Sequence, residues 1–86
     1  MLERKAQAGT LESSDCLVMV EPSASPKFEY GGQNAAIYRR RVLGIIEEIA
    51  ARYDGTASVR IEDHGAVEMT LRARIETAFE RASGKE

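Results

Sequence analysis

The sequence predicts a two-layer α+β domain, β-β-α-β-α in order, with two helices laid on a small sheet. Three observations predict it. Ala57 to Glu62 alternates apolar and polar residues, the period of a half-buried strand. Cys16 to Val20 is a short apolar run with β-branched Val18 and Val20. Ile37, Tyr38, Val42, Ile45, Ile46, Ile49 and Tyr53 recur every three or four residues, which marks one face of a helix.

Each element has its own local reason. Residues 1–9 are polar and Ala-rich and predict a flexible N-terminal arm. Cys16 to Val20 reads as a strand buried on both faces or covered by partners. Pro22 and Pro26, with Ser23 and Ser25, break regularity. Lys27 to Tyr30 alternates polar and aromatic residues and reads as a second short strand, ended by Gly31 and Gly32. These two strands are expected to pair as an antiparallel hairpin. The first helix has Asn34 as its cap and ends near Tyr53, with Gly55 just beyond. Gly44 inside it costs about 1 kcal/mol relative to Ala, and close packing against a strand is the expected reason for it. Asp63-His64-Gly65 turns the chain into a second helix marked by Val67, Leu71, Ile75, Ala78 and Phe79, running to about Ala82. The expected core is Ile45, Ile49, Val59, Ile61, Leu71, Ile75 and Phe79.

At 86 residues the chain is expected to form one domain over 1–86, with a modest core. A net charge of −2 and a pI near 5.5 argue against general nucleic-acid binding. Aromatic residues are few and Trp is absent, so base-stacking platforms are not expected either. No stretch approaches the roughly 18 apolar residues of a membrane span, and residues 1–15 lack the apolar centre of a signal peptide. The only cysteine, Cys16, has no internal disulfide partner, which suits the cytoplasm.

The residues able to carry chemistry are few. Cys16 sits among Leu17, Val18 and Met19, where a thiol usually serves as a small apolar residue. A nucleophilic cysteine needs a base, and His64 is the only imidazole. Asp63-His64-Gly65 suggests acid–base work, but a turn before a helix explains it more simply. Arg39-Arg40-Arg41 reads either as a docking patch for acidic surfaces or phosphates, or as a solvated helix face. Consecutive residues fan around a helix, so the three cannot address one ligand. No catalytic set, metal-ligand spacing or phosphate-binding loop is evident. Gly9-Thr10-Leu11-Glu12-Ser13-Ser14-Asp15 remains, with two hydroxyls between acids ahead of an apolar run. On composition these are ordinary turn and cap residues. They are also a possible point of covalent attachment.

Gly9 to Asp15 resembles the N-terminal signature of the acyl carrier (gamma) subunit family of citrate lyase, typically Gly-Thr-Leu-Glu-Ser-Gly-Asp. Asp63-His64-Gly65-Ala66-Val67, Leu71-Arg72-Ala73-Arg74 and Arg81-Ala82 resemble the C-terminal segment of the same family, in the expected order. The resemblance implies a non-catalytic carrier, a phosphoprotein with its prosthetic group on serine. It places 2′-(5″-phosphoribosyl)-3′-dephospho-coenzyme A on Ser13, with Ser14 the rival. Ser14 stands where the family commonly has Gly, so a glycine conformation is expected to be lost there. The implied partners are the alpha and beta subunits of citrate lyase and a prosthetic-group transferase. The arm then holds acetyl and citryl thioesters while citrate is cleaved to acetate and oxaloacetate. The alternatives are the carrier subunit of malonate decarboxylase and a non-carrier α+β interaction module. The order Ser14-Asp15-Cys16-Leu17, with neighbouring strands, argues against the four-helix fold of ordinary acyl carriers.

Overall fold

The computed structural model of the chain describes residues 2–33 and 35–84. The elements are β1 (Ala6–Gly9), β2 (Cys16–Ser23), β3 (Lys27–Gly32), α1 (Ala35–Ala50), β4 (Thr56–Asp63) and α2 (Glu68–Ala82). The two-layer α+β architecture is as expected, with one further strand at the start. Asn34, the expected helix cap, lies outside the described residues.

The sheet order is β1-β2-β4-β3. β2 pairs antiparallel with β4 over eight residues, from Cys16 opposite Asp63 to Ser23 opposite Thr56. β1 adds antiparallel to the outer side of β2, and β3 adds parallel to β4. The expected β2–β3 hairpin is therefore corrected. The chain leaves β2 after Ser23, passes Pro26, and reaches the far edge of the sheet. α1 then serves as the crossover that a parallel β3–β4 pair requires. Because β2 spends its two ladder edges on β1 and β4, it has none left for β3.

The flexible arm is also corrected. Residues 6–9 are the edge strand, and Leu2 is buried. The Glu3 and Arg4 amides donate to the Ala82 carbonyl at 2.7 and 3.1 Å. Those bonds satisfy a carbonyl at the end of α2, which a helix leaves without an internal partner. The Arg81 guanidinium closes the same junction by donating to the Gln7 carbonyl at 2.9 Å.

Both helices lie on one face of the sheet, α2 over β1 and β2 and α1 against β3 and β4. Alternation then decides burial. Cys16, Val18 and Val20 face the helices, as do Val59 and Ile61, while Leu17 and Met19 are only half-buried on the other face. β2 is thus covered on one face rather than two. All seven expected core residues are buried, and Tyr53 stacks on Phe79 with ring centroids 5.6 Å apart. The helix stripe is shorter than its periodicity. Ile37 and Tyr38 are 74% and 49% exposed, and α1 buries large side chains only from Val42 onward.

Gly44 is exposed, and a Cβ placed there meets nothing within 4 Å, so no close packing requires it. Gly44→Ala is expected to stabilise the protein by about 1 kcal/mol, because it restores helix propensity without a clash. Ile49→Ala empties a fully buried position and is expected to cost about 2–5 kcal/mol. Denaturant melts of both variants check these opposite signs. An unchanged midpoint for Ile49→Ala would place that residue outside the core.

Candidate functional site

The hairpin between β1 and β2 is the Thr10–Asp15 loop, so the seven-residue signature closes a turn at one end of the sheet. Gly9 opens it with φ of 97°. A Cβ there would collide with the Cys16 carbonyl oxygen, so only glycine fits. The Thr10 amide donates to that same carbonyl at 3.2 Å, closing the base of the loop.

Asp15 organises what lies above. Its Oδ1 accepts the Cys16 amide at 2.7 Å and Arg74 Nε at 3.0 Å. Its Oδ2 accepts the Thr10 hydroxyl at 2.7 Å and Arg74 Nη2 at 3.0 Å. The Thr10 hydroxyl oxygen in turn accepts the Glu12 amide at 3.2 Å. A forked guanidinium on one carboxylate is the most directional form of ion pair. It ties the loop to α2, 59 residues later in the chain. Arg74 and the Thr10 hydroxyl hold the Asp15 carboxyl well below its ordinary value of 3.8.

The other side of the loop hangs on the sheet. The Ser14 amide donates to the His64 carbonyl at 2.8 Å, and the His64 amide donates to the Asp15 carbonyl at 2.9 Å. The β2–β4 pairing thus continues past its last ladder residues. Asp63 braces the turn beneath. Its Oδ1 accepts the Gly65 and Ala66 amides at 3.0 and 2.9 Å, and its Oδ2 accepts the Tyr30 hydroxyl at 2.6 Å. Every hydrogen-bonding atom of this buried carboxylate side chain is satisfied, the condition for burying one. Burial and the Asp63 bond push the Tyr30 hydroxyl above its ordinary range.

Ser13 and Ser14 are both exposed at the tip. Among the described residues, neither hydroxyl makes a hydrogen bond. Ser14 is the only non-glycine among them with positive φ, at 66°. The glycine conformation expected to be lost is therefore kept, with a serine in it. That left-handed backbone costs an L-residue roughly 1–2 kcal/mol.

The remaining candidates separate. Cys16 is fully buried, and burial pushes its thiol up to about 12, the opposite of an activated nucleophile. The three arginines fan apart as their spacing requires. Arg39 lies 4.8 Å over the Phe28 ring, and Arg41 makes a two-pronged pair with Glu68 at 2.7 and 2.6 Å. Among the described residues no cluster of His, Cys, Asp and Glu could hold a metal ion, and no helix is long and apolar enough to cross a membrane. Sequence reasoning named the serines but missed the clamp. Thr10 and Asp15 stood in the signature and Arg74 in the second block, yet no local pattern joins residues so far apart.

Two outcomes follow. Ser14→Gly is expected to hold or slightly raise the melting temperature. Ser14→Val is expected to lower it, because a branched Cβ is poorly tolerated at positive φ; equal melting temperatures would remove the strain. The second concerns acid. A carboxyl held low in the fold contributes stability that is present above its unfolded value and lost as pH falls through its folded one. Stability is therefore expected to decline below about pH 4, and Arg74→Met is expected to make that decline shallower while lowering stability at pH 7. Parallel acid profiles for the two proteins would sink the clamp.

The family model described as malonate decarboxylase delta subunit matches residues 3–82. A Treponema denticola citrate lyase acyl carrier protein is 33% identical, with 98% of each chain covered. The counterpart in Haemophilus influenzae strain PittEE is 37% identical over 95% of this chain and 87% of the relative. The counterpart in Yersinia enterocolitica is 38% identical over 93% and 86%. In fold, the chain is like one in a crystal structure of a Pseudomonas malonate decarboxylase hetero-tetramer in complex with malonate. That likeness has a TM-score of 0.65, 18% identity, and 93% and 84% of the two chains covered. By its identity to these relatives along nearly its whole length, the chain belongs to the citrate lyase acyl carrier protein family.

Proposed function

We propose that the chain is the acyl carrier, or gamma, subunit of citrate lyase, and that Ser13 carries its prosthetic group, 2′-(5″-phosphoribosyl)-3′-dephospho-coenzyme A. The observation that carries this reading is an exposed Ser13 hydroxyl, free of hydrogen bonds among the described residues, at the tip of a loop pinned on both sides. An alcohol meant to enter a transferase site needs that accessibility. When bound, the group supplies a terminal thiol that holds acetyl and citryl groups as thioesters.

The work of this chain is presentation. Asp15, Thr10 and Arg74 hold the loop in one shape, so little ordering remains to be done when a transferase or a lyase subunit engages it. The tethered thiol then reaches successive sites at high effective concentration. In this reading the alpha and beta subunits do the chemistry, in the cytoplasm, where a lone buried Cys16 stays reduced. A second reading, the carrier of malonate decarboxylase, draws on the family model and the fold likeness. The subunits that co-purify with the chain separate the two.

Ser13→Ala is expected to leave the melting temperature unchanged, to abolish the added mass after co-expression with the prosthetic-group transferase, and to abolish activity of the reconstituted complex. Ser14→Ala is expected to keep both. Peptide mapping by mass spectrometry reads the site directly. Modification that survives Ser13→Ala and vanishes in Ser14→Ala moves the attachment to Ser14, and an unmodified wild-type chain makes it a non-carrier module.

A further inference from the structure

Ser13 and Ser14 offer two primary alcohols one residue apart, both exposed and neither hydrogen-bonded among the described residues. Their hydroxyl chemistry is the same, so a preference between them has to come from the backbone. That backbone has a defined form. The Asp15 amide donates to the Glu12 carbonyl at 3.2 Å, which closes a four-residue turn with the two serines at its centre. Of these two, only Ser14 has positive φ, at 66°. A positive value at the third residue alone is the mark of a type II turn.

Type II turns favour glycine at that third position. Type I turns, which most residues accept, differ by about half a rotation of the peptide joining the two central residues. The Ser14 N–H belongs to that peptide and donates to the His64 carbonyl at 2.8 Å. Turned over, it would point away from His64 and the bond would be lost. The entry to the turn is held too, by the Glu12 amide on the Thr10 hydroxyl at 3.2 Å. The two serines are therefore unlike in position. Ser14 lies beside the turn after β4, where a Cβ built on Gly65 would come 3.9 Å from the Ser14 Cα. Ser13 is one residue further along the loop from that wall.

We infer that the type II turn itself is what the modifying enzyme recognises, with Ser14 as a positioning residue whose left-handed backbone presents the Ser13 hydroxyl in place of its own. The inference rests on the Ser13 reading. The loop is asked for one substitution at phosphorus. The Ser13 Oγ bonds to the phosphorus of a phosphoric anhydride that carries the prosthetic group. The anhydride P–O bond breaks with departure of its phosphate, and the alcohol proton passes to a base of the transferase. Entering and leaving oxygens have to lie roughly in line. A misplacement of about 1 Å can cost on the order of a hundredfold in rate, so the form of the turn decides which alcohol reacts.

The test loads the full-length chain with its transferase, reading intact mass against time and mapping the modified peptide. Ser14→Asn and Ser14→Val leave Ser13 untouched and are close in size. They differ in backbone preference, since Asn enters the left-handed region readily and a β-branched residue does so poorly. Ser14→Asn and Ser14→Gly are expected to load as fast as the wild type. Ser14→Val, shown by circular dichroism to be folded at the assay temperature, is expected to load about tenfold more slowly, because only chains in the type II turn are competent. A purely structural role would lower its melting temperature and leave the loading rate of the folded chain unchanged. If Ser14→Val does not fold, Ser14→Thr, β-branched and nearer serine in size, carries the same expectation. Equal rates for the Asn and β-branched variants, both fast or both slow, overturn the inference, as does the reverse order; with the added mass still on Ser13, the Ser13 reading stands. A wild-type chain that carries the mass on Ser14, or gains none, overturns both.

Discussion

The pairing of β2 with β4 is the constraint on which the rest of the structure depends. It is the longest ladder in the sheet, eight residues on each strand, and it joins the two halves of the chain. Its register places Val18 opposite Ile61 and Val20 opposite Val59, so both strands present their apolar residues to the helices together. A slip of one residue would turn inward either Leu17 and Met19 or Arg60 and Glu62, depending on which strand moved. The same ladder runs on through Ser14, Asp15 and His64 to hold the serine loop. Core and site therefore share one register, and a change that shifted the first would displace the second.

Where pattern and position coincide, the fold was legible in the residues. β4 alternates because one of its faces is buried, and α2 keeps its period to Ala82 because it lies over strands along its length. β1 was not legible. Ala-Gln-Ala-Gly carries no β-branched or aromatic residue, and it is a strand because β2 has an open edge and α2 covers Ala8. The partner of β3 was equally hidden. Alternation announces a strand but says nothing of which neighbour it takes, and a parallel partner reached through α1 leaves no turn signature. Ile37 and Tyr38 show the converse failure, since they share the period of the stripe and yet stay exposed.

The site divides in the same way. Ser13 came from a motif read by resemblance, because a loop serine has no distinguishing composition. The groups that shape the loop are Thr10, Asp15 and Arg74, and their relation is tertiary. Asp15 lies in the loop and Arg74 on α2, so no window of sequence contains both. His64 took part through its backbone, which no reading of its imidazole could reveal. Ser14 is instructive because it stands where the resembled pattern has Gly and yet takes a φ that glycine adopts without strain, with its amide hydrogen-bonded to the His64 carbonyl.

These features divide rigidity and mobility in a consistent way. A carrier has to deliver one group to several sites, and motion can reside in the protein loop or in the attached arm. Here the loop is held at both flanks, by a forked ion pair on one side and by continued strand pairing on the other. Among the described residues, the Ser13 and Ser14 hydroxyls at the tip make no hydrogen bond and face solvent. If Ser13 is the attachment point, as proposed, rigidity there would give every partner the same surface to recognise and lower the ordering cost of each encounter. Reach would then be left to the attached arm. A floppy loop would enlarge the volume searched but would blur the recognition surface at each docking. The left-handed backbone at Ser14 belongs to this held loop, in which the neighbouring Ser13 is exposed.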